Sequence, residues 1–170
     1  LTDALHKNHP EITPISSCPD IMVLPMGGSS LQEWVNHNYL RKLGIPEYHI
    51  YDSDCTNAHQ QECDLINQRT DGSSARMTSK REMENYIHPD AIRAIYGANF
   101  EIDDRTDVPH IISDYLRSQN LPGANPKNIK RRLNGEATQY MTLEMLKEWD
   151  LKNEVLSWIC DILQLDISTY

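Results

Sequence analysis

A run of four apolar residues, Ile21-Met22-Val23-Leu24, leads into Gly27-Gly28-Ser29-Ser30 and then into a stretch whose Leu31, Trp34, Val35, Tyr39 and Leu43 share one helical stripe ending at Gly44. A short continuous apolar run is the mark of a strand buried on both faces, and a 3.6-residue stripe marks a helix packed on one side. Ser30, with Glu33 three residues on, makes a capping box for the helix start. After a turn at Ile45-Pro46, Tyr48-His49-Ile50-Tyr51 reads as a second strand. Strand, helix, strand in that order implies a crossover between parallel strands. The expected fold is therefore α/β, with functional groups gathered beyond the carboxyl ends of strands.

The rest of the chain reads as helix, apart from one polar gap. Residues 55–79, with Gln60, Gln61, Asn67, Gln68 and Gly72-Ser73-Ser74, are expected to form a mobile excursion holding at most one helix. Ser79 and Glu82 are spaced as a second capping box, with Met83 and Ile87 on one face beyond it. Pro89 opens a helix over 91–96 that Gly97 closes, and further helices are expected over 108–116, over 126–133 with Asn125 as cap, and twice beyond Thr142. Val155, Trp158, Ile159, Ile162 and Leu163 form a core-facing stripe. Residues 1–9 read as the tail of a helix.

The formal net charge of −9 argues against a non-specific coat for polyanions, so any phosphate this chain handles needs a bound cation or a local basic patch. The longest wholly apolar run, residues 21–26, is far below the roughly 18 residues of a membrane span. Residues 1–10 show no secretory pattern, so a cytoplasmic location is expected. Cys18, Cys55, Cys63 and Cys160 lack metal-site spacing and read as reduced thiols.

Asp52-Ser53-Asp54 stands at the end of the second strand. Two carboxylates separated by one residue start on the same side of an extended backbone and can converge on a hard divalent ion; a strand-ending turn explains the same residues equally well. Glu84 is off the face of Met83, free to be a ligand or merely a solvated charge. Lys127, Lys130 and Arg131, joined by Arg132, form the dense basic patch of an acidic chain, available to a phosphate or to neighbouring acids such as Glu136. Gly27-Gly28-Ser29-Ser30 is either an anion-binding helix start or a tight connection. His49 and His88 read as packing and turn residues, and Trp34, Trp149 and Trp158 as core.

In combination, Pro25-Met26-Gly27-Gly28, the helix and strand that follow, Tyr51-Asp52-Ser53-Asp54, a polar gap, and Lys80-Arg81-Glu82-Met83-Glu84-Asn85-Tyr86-Ile87-His88-Pro89 resemble the Toprim domain of the OLD (overcoming lysogenisation defect) family of ATP-dependent nucleases. The resemblance covers roughly residues 20–135. It implies a Toprim-like, Rossmann-like parallel sheet flanked by helices over residues 1–135, with a helical extension over 136–170. It also implies a DNA endonuclease dependent on Mg²⁺ or Mn²⁺, with Asp52, Asp54 and Glu84 as metal ligands, Lys127 or Lys130 steadying a phosphate, and a role in antiviral defence. The family's first acidic motif, a glutamate ending an earlier strand, has no counterpart here, since Glu11 follows Pro10 in a connection. Nor is there a phosphate-binding G-x-x-x-x-G-K-S/T loop, so ATP and an ATPase domain are expected upstream in a longer parent. The implied partners are DNA, that ATPase domain, and a second copy or a defence-system protein, with no membrane.

Two other functions fit the residues. Asp52-Ser53-Asp54-Cys55-Thr56 also matches the D-x-D-x-T nucleophile loop of haloacid-dehalogenase-like phosphohydrolases, with Asp103-Asp104 as the second acidic loop. A module that dimerises or docks on DNA without cutting it is the non-enzymatic alternative.

Overall fold

The computed structural model describes residues 1–26, 29–56 and 58–169, without the side chains of residues 29–31, 41 and 169. Over these residues the chain is mixed α/β, about half helical, with a two-stranded parallel sheet and eight α-helices. The strands are β1 (Tyr48–Tyr51) and β2 (Ser74–Met77). The helices are α1 (Thr2–His6), α2 (Ser29–His37), α3 (Gln60–Asn67), α4 (Pro89–Tyr96), α5 (Val108–Ser118), α6 (Pro126–Gly135), α7 (Leu143–Trp149) and α8 (Glu154–Leu163). None of the helices is long and apolar enough to cross a membrane.

The parallel crossover exists, but it lies one unit later in the chain than the hydrophobic pattern predicts. β1 pairs with β2 in a register running from Tyr48 opposite Ser74 to Tyr51 opposite Met77, and α3 makes the connection. The region expected to be an excursion thus supplies both a helix and a strand. Its polar composition hides them because α3 buries only Cys63 and Ile66, against Val35, Tyr51 and Ala75. Asn67 finishes this unit. Its side-chain amide donates to the Ala75 carbonyl (3.0 Å) and accepts from the Ala75 N–H (2.8 Å), so the outer edge of β2 is closed by a side chain.

Ile21-Met22-Val23-Leu24 is not a strand. The segment is irregular, and Met22 and Val23 are 80% and 69% exposed, with Leu24 and Met26 also in solvent. Apolar residues of high strand propensity form a strand only against a ladder partner, and no strand lies against these residues among those described. The helix that follows is also shorter than its stripe. Asn38 takes a left-handed backbone (φ +45°) directly after His37, so Tyr39 and Leu43 leave the stripe and stand exposed, while Val35 stays buried. Gly27-Gly28, and the Ser30 side chain on which the expected capping box depends, lie outside what the structure describes.

From residue 89 onward the helices begin where their caps dictate. His88 Nδ1 accepts from Asp90 N–H, Asp107 from His110 N–H, Asn125 from Lys127 N–H and Thr142 from Met145 N–H. Prolines 89, 109 and 126 occupy first-turn positions, where a missing N–H costs nothing. Gly97 ends α4 at φ +68°, a conformation a side chain disfavours. Gly97→Ala is expected to cost about 1 kcal/mol in urea unfolding; because a Cβ there meets open space, a loss much above 2 kcal/mol would show that sterics rather than backbone conformation decide.

One buried cluster unites Leu5 and Ile12 with Ile92, Ile112, Ile129, Leu133, Leu146, Leu156 and Trp158, so it draws on α1 and on every helix from α4 to α8. A second, smaller cluster of Val35, Tyr51, Cys63, Ile66 and Ala75 lies between α2, α3 and the sheet. Each fully buried Ile or Leu contributes on the order of 2 kcal/mol of burial free energy, and the larger cluster is the platform that holds the ends of the strands in place.

Candidate functional site

The chain leaves both strands at their carboxyl ends and the two departing segments stay zipped together. Thr78 N–H donates to Tyr51 O (2.9 Å), Ser53 N–H to Thr78 Oγ1 (2.9 Å), and Asp54 N–H to Arg81 O (2.9 Å). Two buried hydroxyls complete the zipper, Ser53 Oγ donating to Lys80 O (2.8 Å) and Thr78 Oγ1 to the same carbonyl (2.7 Å). The middle residue of Asp52-Ser53-Asp54 is therefore structural: it pins the loop that carries the two carboxylates.

Beyond the zipper the chain makes a 3-10 turn over Met83–Tyr86, and Asn85 locks it. Asn85 is completely buried. Its Oδ1 accepts from Glu82 N–H (3.2 Å), and its Nδ2 donates to the carbonyls of Asp103 (2.8 Å) and Thr106 (2.9 Å). Tyr86 holds the other side, its hydroxyl donating to Glu154 (2.6 Å) and accepting from Ser79 N–H (3.1 Å). The expected capping box of Ser79 and Glu82 does not form. The Ser79 hydroxyl turns to Glu154, and Glu82 is itself the N-cap of the turn, in a capping box with Asn85 three residues on.

This framework brings Glu82 and Glu84 to one ammonium, that of Lys130, and sets Asp52 near enough to feel the charges of Glu84 and Lys130. Met83 N–H donates to Asp52 Oδ1 (3.0 Å), which ties the end of β1 to the turn. Glu84 is buried at 3% exposure, so it is no solvated charge. One of its oxygens accepts from Asn134 Nδ2 of α6 (2.8 Å), and the other, Oε2, is buried with no hydrogen-bond partner. Glu82, 4% exposed, has the same asymmetry: Oε2 accepts from Lys130 Nζ (2.7 Å), while Oε1 is buried and unpartnered. Lys130 Nζ also stands 3.6 Å from Glu84 Oε2.

The electrostatics follow from this crowding. Burial, and then the charge of Glu84, push the Asp52 carboxyl above the usual carboxylate range, against the opposing pull of Met83 N–H and Lys130. Burial likewise raises Glu82, partly offset by its hydrogen bond to Lys130. Burial works against the Lys130 ammonium, but the bond to Glu82 and the charges of Glu84, Glu82 and Asp52 outweigh it and raise its pKa. An acid whose folded pKa is raised costs stability once it ionises, so Asp52 weakens the metal-free fold as pH climbs above about 4, the ordinary carboxylate value. Asp52→Asn keeps an acceptor for Met83 N–H and is expected to stabilise the chain by about 1 kcal/mol at pH 7 in chelator. Denaturant titrations at pH 7 and pH 3.5 check this, since the gain must vanish at the lower pH.

Asp54 and Lys127 are placed differently. Asp54 sits at φ +46° and is exposed; its charge is the weakest of those acting on Asp52. Lys127 is exposed on the first turn of α6 and, among the described residues, its ammonium has no carboxylate partner. Of the basic patch only Lys130 reaches the carboxylates, while Arg132 pairs with Glu136 (3.0 Å) and lies over the Tyr96 ring. Asp103 accepts within its own turn from Arg105 N–H and Thr106, and Asp104 pairs with the buried Lys80 (3.2 Å). His49 is packed between Glu47 and Tyr51, and His88 caps α4. Trp34 and Trp149 are only part-buried, their indole N–H groups donating to Glu47 and to the Asn85 carbonyl. All four cysteines are free thiols.

Glu82 and Asn134 are the site residues the sequence reading did not select. Glu82 reads in the sequence as a capping residue, a role it keeps at the start of the turn, and Asn134 carries no motif; the i, i+4 spacing of Lys130 and Asn134 on α6 is the signal that connects them. Among the described residues no three His, Cys, Asp or Glu side chains are set to hold a metal ion as they stand. The donor set nevertheless suits a hard cation: two buried carboxylate oxygens lack any hydrogen-bond donor, beside a third carboxylate whose ionisation burial opposes. No family model, curated protein or solved structure matches the chain.

Proposed function

We propose that the chain is a Toprim-like, divalent-metal-dependent phosphodiesterase domain acting on DNA, of the type found in OLD-family nucleases. The observation that carries this reading is that Asp52, just past the carboxyl end of β1, is hydrogen-bonded to Met83 N–H of the turn that carries Glu84 and feels the charge of Glu84, whose Oε2 is buried with only the Lys130 ammonium, at 3.6 Å, beside it among the described residues. Two buried carboxylates that share a single, half-exposed ammonium are only partly compensated, and such a charge imbalance at a loop end is the pattern of a cation site. Asp52, Glu84 and Glu82 are the residues to hold Mg²⁺ or Mn²⁺, with the exposed Asp54 at the rim facing substrate.

A divalent ion at such carboxylates supplies Lewis-acid stabilisation of a phosphoryl oxygen and a more acidic bound water. The chain's own part is positioning. Asn134 orients the Glu84 carboxylate, Met83 N–H orients that of Asp52, and Asn85 holds the turn on which Glu82 and Glu84 ride. Lys130 provides positive charge against a substrate phosphate in a chain that is otherwise acidic. Any ATPase domain, second copy or defence-system partner belongs to the same proposal.

The test is calorimetric titration of the chain with Mn²⁺, together with incubation of supercoiled plasmid in Mn²⁺ and in chelator. Binding heat that Glu84→Gln removes, and nicking that chelator stops, support the reading. Absence of both, or nicking that survives chelation, refutes it.

A further inference from the structure

We infer that Lys130 is a tethered counter-ion which competes with the divalent cation, so that metal enters the site only by taking Glu82 and Glu84 away from the Lys130 ammonium. The inference rests on the cation-site reading above and adds an intrinsic regulator to it. Lys130 reaches across from α6 to a turn 48 residues earlier, and its Nζ lies 2.7 Å from Glu82 Oε2 and 3.6 Å from Glu84 Oε2. It therefore stands between the two side chains whose remaining oxygens, Glu82 Oε1 and Glu84 Oε2, are buried without a hydrogen bond.

The neighbouring cations are committed elsewhere. Arg81 pairs with Asp107 (3.2 Å), and Lys80 is held by the Trp149 carbonyl (2.8 Å) and by Asp104. The whole burden of balancing Asp52, Glu82 and Glu84 in the metal-free chain thus falls on one ammonium. An ammonium holds a carboxylate at hydrogen-bond length, about 2.8 Å, whereas Mg²⁺ or Mn²⁺ draws oxygens to roughly 2.1 Å. The spacing here, one carboxylate gripped at 2.7 Å and the other 3.6 Å away, suits the monovalent group. A divalent ion between these carboxylates would lie within a few ångströms of the ammonium, where like charges in a part-buried site repel strongly. The side chain of Lys130 is 44% exposed, so it has an open path out of the site.

The experiment is Mn²⁺ titration calorimetry on the wild-type chain, Lys130→Met, Lys130→Arg and Arg131→Gln. Lys130→Met is expected to bind Mn²⁺ about tenfold more tightly than wild type or better. Lys130→Arg is expected to stay near wild type, and Arg131→Gln, which removes an exposed charge on the same helix, within about twofold. Equal affinities for wild type and Lys130→Met overturn the inference and leave the cation site standing, as does equal tightening by Arg131→Gln, which reduces the effect to bulk charge. Failure of every protein to bind overturns both readings. Should Lys130→Met not fold, the Lys130 side-chain resonance of wild type is followed by NMR during Mg²⁺ addition. Movement of that resonance, with Lys127 unmoved, supports displacement, and an unmoved Lys130 at Mg²⁺ saturation refutes it.

Discussion

Asp52→Ala combined with Glu84→Gln is expected to lower Mn²⁺-dependent plasmid nicking by about three orders of magnitude, roughly 4 kcal/mol of lost transition-state stabilisation. The two residues come from different segments, the loop after β1 and the 3-10 turn over Met83–Tyr86, and share one charge environment, so their effects should not add: either single variant is expected to remove most of the activity. A merely structural role predicts the opposite sign in a second measurement. Burial opposes ionisation of Asp52, so Asp52→Asn, which removes the charge and keeps an acceptor for Met83 N–H, should in chelator leave the thermal midpoint unchanged or raised while abolishing nicking. Activity lost with stability kept marks a functional carboxylate; nicking that persists above a tenth of wild type ends the metal-site account.

Asn85→Ala is expected to destabilise the chain by about 4 kcal/mol, the largest single-residue effect on folding. Asn85 is fully buried, and truncation strands the Asp103 and Thr106 carbonyls and the Glu82 N–H, each a polar group whose unmet hydrogen bond costs about 1–3 kcal/mol. Trp149, whose indole N–H donates to the Asn85 backbone carbonyl (2.8 Å), stands close enough to report the change. Urea unfolding followed by Trp fluorescence reads the change. Asn85→Asp keeps the shape but sets a carboxylate against two carbonyls, so its deficit should shrink on acidification as the new group gains a proton to donate. A loss below about 1 kcal/mol for Asn85→Ala would mean that the turn carrying Glu82 and Glu84 is held by something else.

The contrast between well-read and misread segments has a local cause. α4 to α8 start at His88, Asp107, Asn125, Thr142 and Asn153, and four of these five use a side-chain cap, a signal that needs only its own next few residues. The strand β2 has no such signal. Ser74-Ala75-Arg76-Met77 becomes a strand because β1 lies beside it and Asn67 closes its far edge. Conversely, Ile21-Met22-Val23-Leu24 has the composition of a strand and, among the described residues, no strand beside it, so Met22, Val23 and Leu24 stand in solvent.

At the site, the type of chemistry was legible in the residues and the grouping was not. Asp-Ser-Asp at a strand end and a basic stripe on a capped helix can be seen in one dimension because strand ends and helix periodicity are local properties. That Lys130 and not Lys127 meets the carboxylates, that Glu82 joins Glu84 in the interior, and that Asp54 turns outward depend on contacts spanning tens of residues. Charge, caps and periodicity belong to the linear order of amino acids. Which charges become neighbours, and which oxygens are left buried without a donor, follows from packing of the helical platform against the strand ends, because burial and Coulomb energy depend on distances that only the closed chain sets.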